Sequence, residues 1–140
     1  MIRRKSAVTF LGCVAFIGVS ISALVSGAAI AAQFTGTPKR TPLQQFEVPG
    51  SNYITIVALT ELEPFMTAER HIHPGAELTY VLEGGGEIFE EGHPSRKVGP
   101  GDNWRVEAGV PHYLKNGPQR TRLLVTYVLE KGKPLAIPSP

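Results

Sequence analysis

Cysteine is almost absent from this chain. Cys13 is the single thiol in 140 residues, so neither an intrachain disulfide nor a thiolate metal cage can form. Charge is sparse at 19%, and no acidic residue precedes Glu47. The sequence has no Gly-x-Ser-x-Gly elbow and no cysteine beyond position 13, which argues against a nucleophilic triad. Long helical periodicity is missing as well, and no repeat of fixed period is present. Gly (15) and Pro (12) are frequent, but the glycines follow no three-residue period, so collagen is excluded. What remains is 42% hydrophobic, too apolar for a disordered chain and too mixed for several membrane spans. Its length suits one domain. The formal net charge of +2 hides an asymmetry. Without Arg3, Arg4 and Lys5, the 14 basic residues become 11 against 12 acidic ones. A balance so near neutral excludes a basic nucleic-acid-binding surface.

Residues 1–32 read as an export signal. Arg3-Arg4-Lys5 forms a positive start, residues 10–30 carry no charge, and Ala29-Ile30-Ala31 places small residues before a cut at Ala32 or Gln33. An uncleaved anchor is the competing reading, because about 20 apolar residues can span a bilayer. The expectation is a periplasmic or secreted domain, touching a membrane only if the segment is retained.

Residues 33–45 (QFTGTPKRTPLQQ) are polar, with two Thr-Pro steps, and read as an extended arm. A single domain is expected over residues 46–140. β-branched and aromatic runs predict strands at residues 53–60, 77–83, 87–90, 104–106, 112–115 and 122–130. Gly84-Gly85-Gly86 predicts a turn that closes a hairpin between the second and third runs. Such short strands, spaced by about ten residues, predict an all-β sandwich or barrel.

The chemistry concentrates at His71-Ile72-His73 and Glu77. In an extended chain these three positions share parity, so all can point to one side. A dry core does not accept two imidazoles and a carboxylate without compensation. A divalent ion supplies it, since both groups are ordinary ligands of Fe, Mn, Ni, Zn or Cu. His112 follows the turn Ala108-Gly109-Val110-Pro111, which can bring a fourth ligand from a neighbouring strand. The run from His71 to Glu77, followed after six residues by Gly84, resembles the first cupin motif. Gly101, Gly109, His112 and Asn116 resemble the second. Two departures stand out: Phe65 where the first motif opens with glycine, and Glu107 where the second carries proline.

The resemblance implies a double-stranded β-helix, or jelly-roll barrel. It also implies one divalent metal held inside by His71, His73, Glu77 and His112, with open positions left on the ion. It implies a homodimer and a small-molecule substrate. The leading expectation is a small dioxygenase-like metalloenzyme in which Glu77 carries a proton. A metal-dependent lyase or isomerase of sugar or uronate type stays open, as does a non-catalytic binding or sensor module, because fold does not set function. Asn116 is expected to fix a turn and His93 to lie in a solvated loop. Tyr80, Phe89, Trp104, Tyr113 and Tyr127 are expected as core or pocket wall. Arg70 and Arg105 are weighed as anchors for an anionic substrate against ordinary surface ion pairs, the latter favoured.

Overall fold

The computed structural model describes residues 32–140. The export signal read over residues 1–32 lies outside them except for Ala32. The described residues form only strands and turns. In chain order these are β1 (Phe34–Gly36), β2 (Lys39–Glu47), β3 (Tyr53–Leu62), β4 (Met66–Ala68), β5 (His71–Ile72), β6 (Ala76–Glu83), β7 (Gly86–Glu90), β8 (Arg96–Val98), β9 (Asn103–Val106), β10 (His112–Asn116), β11 (Thr121–Glu130) and β12 (Ile137–Pro138).

One sheet runs β2-β3-β11-β6-β9. The other runs β1-β4-β10-β5-β12, with β7 also paired to β10 and β8 to β7. From β3 onward the chain alternates between them, each visit adding a strand or a pair of strands. That winding is a double-stranded β-helix, the jelly roll expected from the sequence.

Alternation of side chains builds the interior. Along β11, Thr121, Leu123, Val125, Tyr127 and Leu129 are buried while their neighbours face outward. β3 adds Ala58, Thr60 and Leu62, β6 adds Glu77, Thr79 and Val81, and β10 adds His112, Leu114 and Asn116. Apolar residues fill one part of this interior, and polar ones line the rest.

Two local expectations are corrected. Gly84–Gly86 does not close a hairpin. β6 pairs with β11 and β9, whereas β7 pairs with β10 and β8. The glycines carry the chain from one sheet to the other through a passage with no room for side chains. A Cβ on Gly84, Gly85 or Gly86 would stand 2.4, 2.2 and 2.2 Å from the carbonyl oxygens of Arg120, Val98 and Lys115.

The second correction concerns residues 33–45, expected as an arm ahead of the domain. Residues 34–36 pair with β4, and β2 pairs along β3 from Lys39–Glu61 to Glu47–Ile54, with a register shift between Pro42 and Gln44. Proline lacks an amide donor, and β2 is an edge strand, where that loss is tolerated.

The departure at Phe65 has a structural counterpart. Its φ is 61°, the left-handed region where glycine sits freely. For a residue with a Cβ this costs about 1–2 kcal/mol. Phe65 is held there by its amide, which donates to Gly117 O at 2.8 Å.

Candidate metal centre

His71 opens the short strand β5, which pairs with β10 so that His71 stands directly opposite His112. His73 lies in the connection between β5 and β6, and Glu77 lies on β6 in the other sheet. The four residues do converge, but not along one continuous strand. The chain leaves one sheet at Ile72, bends through residues 73–75 and enters the other at Ala76. The amide of Gly109 donates to His73 O at 2.8 Å, which ties this bend to the turn before His112.

One ligand atom from each of His71, His73, Glu77 and His112 falls within 4.8 Å of all the others. The ring centroids of His71 lie 4.8 Å from His73 and 4.5 Å from His112, and those of His73 and His112 are 5.1 Å apart. Each imidazole is oriented by its Nδ1. His71 donates to Glu69 O at 2.6 Å, His73 to Leu135 O at 2.5 Å and His112 to Val110 O at 2.9 Å. With the Nδ1 protons committed to carbonyls, each neutral ring presents the Nε2 lone pair inward.

Lone pairs then face a carboxylate. Glu77 Oε2 lies 2.7 Å from His73 Nε2 and 3.6 Å from His112 Nε2, and both of those nitrogens are buried without a hydrogen-bond donor. Acceptors this close repel unless positive charge stands among them. Ligands held at about 2.1 Å from a common ion stand about 3 Å apart; Glu77 Oε2 lies 2.7 and 3.6 Å from the two imidazoles, and the full set lies within 4.8 Å. The other oxygen, Oε1, accepts a 2.7 Å hydrogen bond from the Thr79 hydroxyl, so Oε2 is the oxygen turned to the imidazoles.

Without an ion, a proton shared between the imidazoles and Glu77 supplies that positive charge. Burial holds the His71 imidazole down to about 4, in the neutral form that can ligate. Burial alone would raise Glu77, but hydrogen bonds from His112 and His73 outweigh it and keep the carboxyl well below its usual range. Burial works against a proton on His112 too, yet Glu77 pulls its pKa above the ordinary value.

A pH dependence follows for metal-free protein. Between 6.5 and about 4 the unfolded chain protonates at position 71 while the folded site does not. Stability is therefore expected to fall as pH drops through that window. His112 does not offset the loss, because its favourable pairing is already complete below its ordinary pKa. The contribution of Glu77 begins to decline only below its own ordinary value of 4.5. Urea midpoints against pH check this, and His71→Gln should flatten the slope between 6.5 and about 4.

His71, Glu77 and His112 line a cavity of about 40 Å³ together with Arg40, Thr60, Trp104 and Tyr127 among others. That is room for roughly two or three waters or an ion. It adjoins a recess of about 190 Å³ that includes Thr37, Glu69, Arg70 and Pro138, and the two share Pro38, Arg40 and His71. The way out of the interior therefore passes Arg40 and His71.

Other expected residues lie where the sequence placed them. His93 is an exposed loop residue, 3.7 Å from Glu90. Asn116 is buried and fixes a turn: its Nδ2 donates to Glu63 O at 2.7 Å and Gln119 O at 2.9 Å, and its Oδ1 accepts from Thr121 Oγ1 at 2.6 Å. Phe89 and Tyr113 stack at 4.6 Å away from the cavity, and Tyr80 faces outward. Arg105 pairs with Glu107, and Arg70 pairs with Glu91 at the rim of the recess. Trp104 and Tyr127 do line the site.

Thr79, Thr60 and Arg40 escaped the sequence reading. Thr79 had a usable signal, since it shares the inward parity of Glu77. Thr79→Val keeps the shape but removes the hydrogen bond to Glu77 Oε1. Metal affinity is expected to weaken about 10- to 100-fold, as for other groups that orient a ligand, with the fold retained. Competition with a chelator measures it.

The fold, together with three imidazoles and a carboxylate turned into a small barrel, defines the class. The Cupin domain model matches residues 58–127, half of the chain, and the chain belongs to that family. Over 42 residues it is 45% identical to the dimethylsulfoniopropionate lyase DddQ of Ruegeria pomeroyi, a match that covers 30% of this chain and 21% of the relative. The crystal structure of that lyase superposes with a TM-score of 0.61 at 23% identity, over 74% of this chain and 52% of the other. The polyketide cyclase RemF of Streptomyces resistomycificus superposes with a TM-score of 0.54 at 27% identity, over 65% of this chain and 63% of the other. The chain thus spans about a fifth of the curated relative's length and about half of the solved lyase.

Proposed function

We propose that this chain is a metal-dependent enzyme of lyase or isomerase type acting on a small organic substrate. The observation that carries this is the gathering of three imidazoles and one carboxylate with a ligand atom of each within 4.8 Å of the others, every Nδ1 proton being tied to a backbone carbonyl. His71, His73, Glu77 and His112 would hold one divalent ion, which supplies Lewis-acid activation of a substrate oxygen. The barrel wall excludes bulk water from the interior. Tyr127 packs its ring 4.9 Å from that of His73, and burial raises its phenol, so it stays protonated. Glu77 would pass a proton only by releasing Oε2 from the ion during turnover, with Oε1 fixed by Thr79.

The likeness to a lyase over the 42 matched residues favours elimination over oxidation. An elimination breaks a C–H bond and a bond to a leaving group on the adjacent carbon. It forms a C=C bond and needs no oxidant. Localisation outside the cytoplasm is part of the same proposal and rests on Arg3-Arg4-Lys5 and the uncharged run over residues 10–30.

The test is elemental analysis of purified protein, followed by turnover of a panel of small organic acids and uronates in air and under argon. One ion per chain and turnover indifferent to oxygen are expected. Oxygen uptake in step with product would make the protein oxidative instead. Tight binding without turnover anywhere in the panel would make it a binding module.

A further inference from the structure

The cavity presents two kinds of unmet hydrogen-bonding group. His112 Nε2 is an acceptor and, with the unpartnered His73 Nε2 next to it, belongs to the candidate metal centre. Arg40 Nε, Thr60 Oγ1 and Trp104 Nε1 can each donate and are buried without a partner in full hydrogen-bonding geometry, although the Arg40 and Thr60 side chains approach the Tyr127 phenol. All three residues line the same cavity. Burying such groups without partners costs about 1–3 kcal/mol each, so their grouping around one space implies an occupant rich in acceptors.

Arg40 gives that occupant a charge. It stands on β2 directly across from Thr60 on β3. Among the described residues, Arg70, Arg105, Arg120 and Arg122 each pair with a carboxylate, and Arg96 lies over the Trp104 ring and donates to Asn103 O. Arg40 pairs with no carboxylate. Arg40 is half-buried, with its Nε inside and its guanidinium close enough to act on both His71 and Tyr127. It also lines both the cavity and the outer recess.

We propose that Arg40, with Thr60 and Trp104, forms the subsite that binds the carboxylate of a small organic acid, and that this selects the substrate. One guanidinium matches one carboxylate in charge and in its forked geometry. In the ion-free protein a phosphate would bring more charge than this lining meets, since Arg40 is the one cation there apart from what His71 and His112 can carry. The interior of about 40 Å³ is too small for an acid beside an ion, so the acid's carboxylate would sit on Arg40 where the cavity meets the recess of about 190 Å³, and that recess would take the rest of a short chain. The inference rests on the proposed enzyme reading for its functional meaning, but the binding it asserts can be measured without metal or turnover.

Trp104 is the only tryptophan of the chain and lines the cavity, so its fluorescence reports occupancy directly. Full-length protein, both as purified and after metal removal, is titrated with propanoate, propanamide and inorganic phosphate. A saturable change with propanoate is expected, with little from the amide or, in the ion-free protein, from phosphate. Arg40→Met is expected to weaken propanoate at least about tenfold. Arg40→Lys keeps the charge, loses the fork and should fall between the two. Unchanged melting temperature of Arg40→Lys and unchanged metal content show that the fold and the metal centre are intact.

Propanoate binding that ignores Arg40→Met and Arg40→Lys overturns the proposal. So does phosphate binding the ion-free protein more tightly than propanoate does, or no saturable response to any carboxylate of two to five carbons. Carboxylate binding that depends on Arg40 in a protein shown to hold no metal would leave this inference standing and remove the metal reading. Full metal occupancy with carboxylate binding indifferent to Arg40 would do the reverse.

Discussion

Replacing His112 with alanine is expected to lower metal affinity by more than about a hundredfold, beyond the range caused by losing a group that merely orients a ligand. His112 is 3% exposed, its Nδ1 is fixed by Val110 O, and its Nε2 stands 3.6 Å from Glu77 Oε2. Nothing else near that place can present a lone pair in the same direction. His73→Ala should behave alike, because His73 is buried and lies closer still to Glu77. His93→Ala should leave metal content unchanged, since His93 lies in an exposed loop. Metal per chain by elemental analysis, together with a chelator titration, decides the matter. Equal losses from all three variants would mean that these histidines do not form one centre. Glu77→Gln separates binding from chemistry: it should keep part of the metal and lose most turnover, because an amide cannot carry the proton.

Gly85→Ala is expected to be severely damaging, because strain and a backbone clash coincide there. Gly85 has φ of 140°, which side chains rarely adopt, and a Cβ there would meet Val98 O at 2.2 Å and Gly99 Cα at 3.0 Å. Backbone strain of about 1–3 kcal/mol adds to overpacking of about 1–3 kcal/mol. Neighbouring strands cannot move apart to make room, because Gly117 N donates to Gly85 O, and the Gly85 amide donates to Thr121 Oγ1 at 2.7 Å. A loss of about 3–5 kcal/mol is a large share of a small domain's stability, so much of the protein should be unfolded or insoluble. Gly92→Ala is the control. Its φ is 82° and nothing lies within 4 Å of the added carbon, so only the conformational cost of about 1 kcal/mol remains. Urea denaturation of both variants measures the difference. Similar losses would show that the sheet crossing is not tightly packed.

The metal quartet was legible because its residue types are scarce and their spacing is typed. Four histidines occur in the chain, three of them inside motifs and one in a loop. The route by which they converge was not legible. Shared parity suggested one strand, whereas the chain changes sheets between Ile72 and Ala76. A run of glycines likewise permits a tight turn without stating which strands lie on either side. Gly84–Gly86 looks the same in a hairpin as in a sheet crossing, and only the partners of β6 and β7 tell the two apart.

What the sequence determined by itself was the all-β class, the inward pattern of β11, the identity of the four candidate ligands and the exclusion of a thiol or triad chemistry. Each depends on local period, residue type or absence, and these survive without knowledge of neighbours. Only the tertiary structure decided that residues 39–47 form an edge strand and not an arm, that Thr79 locks Glu77, and that Arg40 turns toward the interior. Those facts depend on which strand lies beside which. Lys39-Arg40-Thr41-Pro42 carries no mark of burial in its own residues. The register that sets Arg40 against Thr60 comes from pairing with β3, a contact about twenty residues away in the chain.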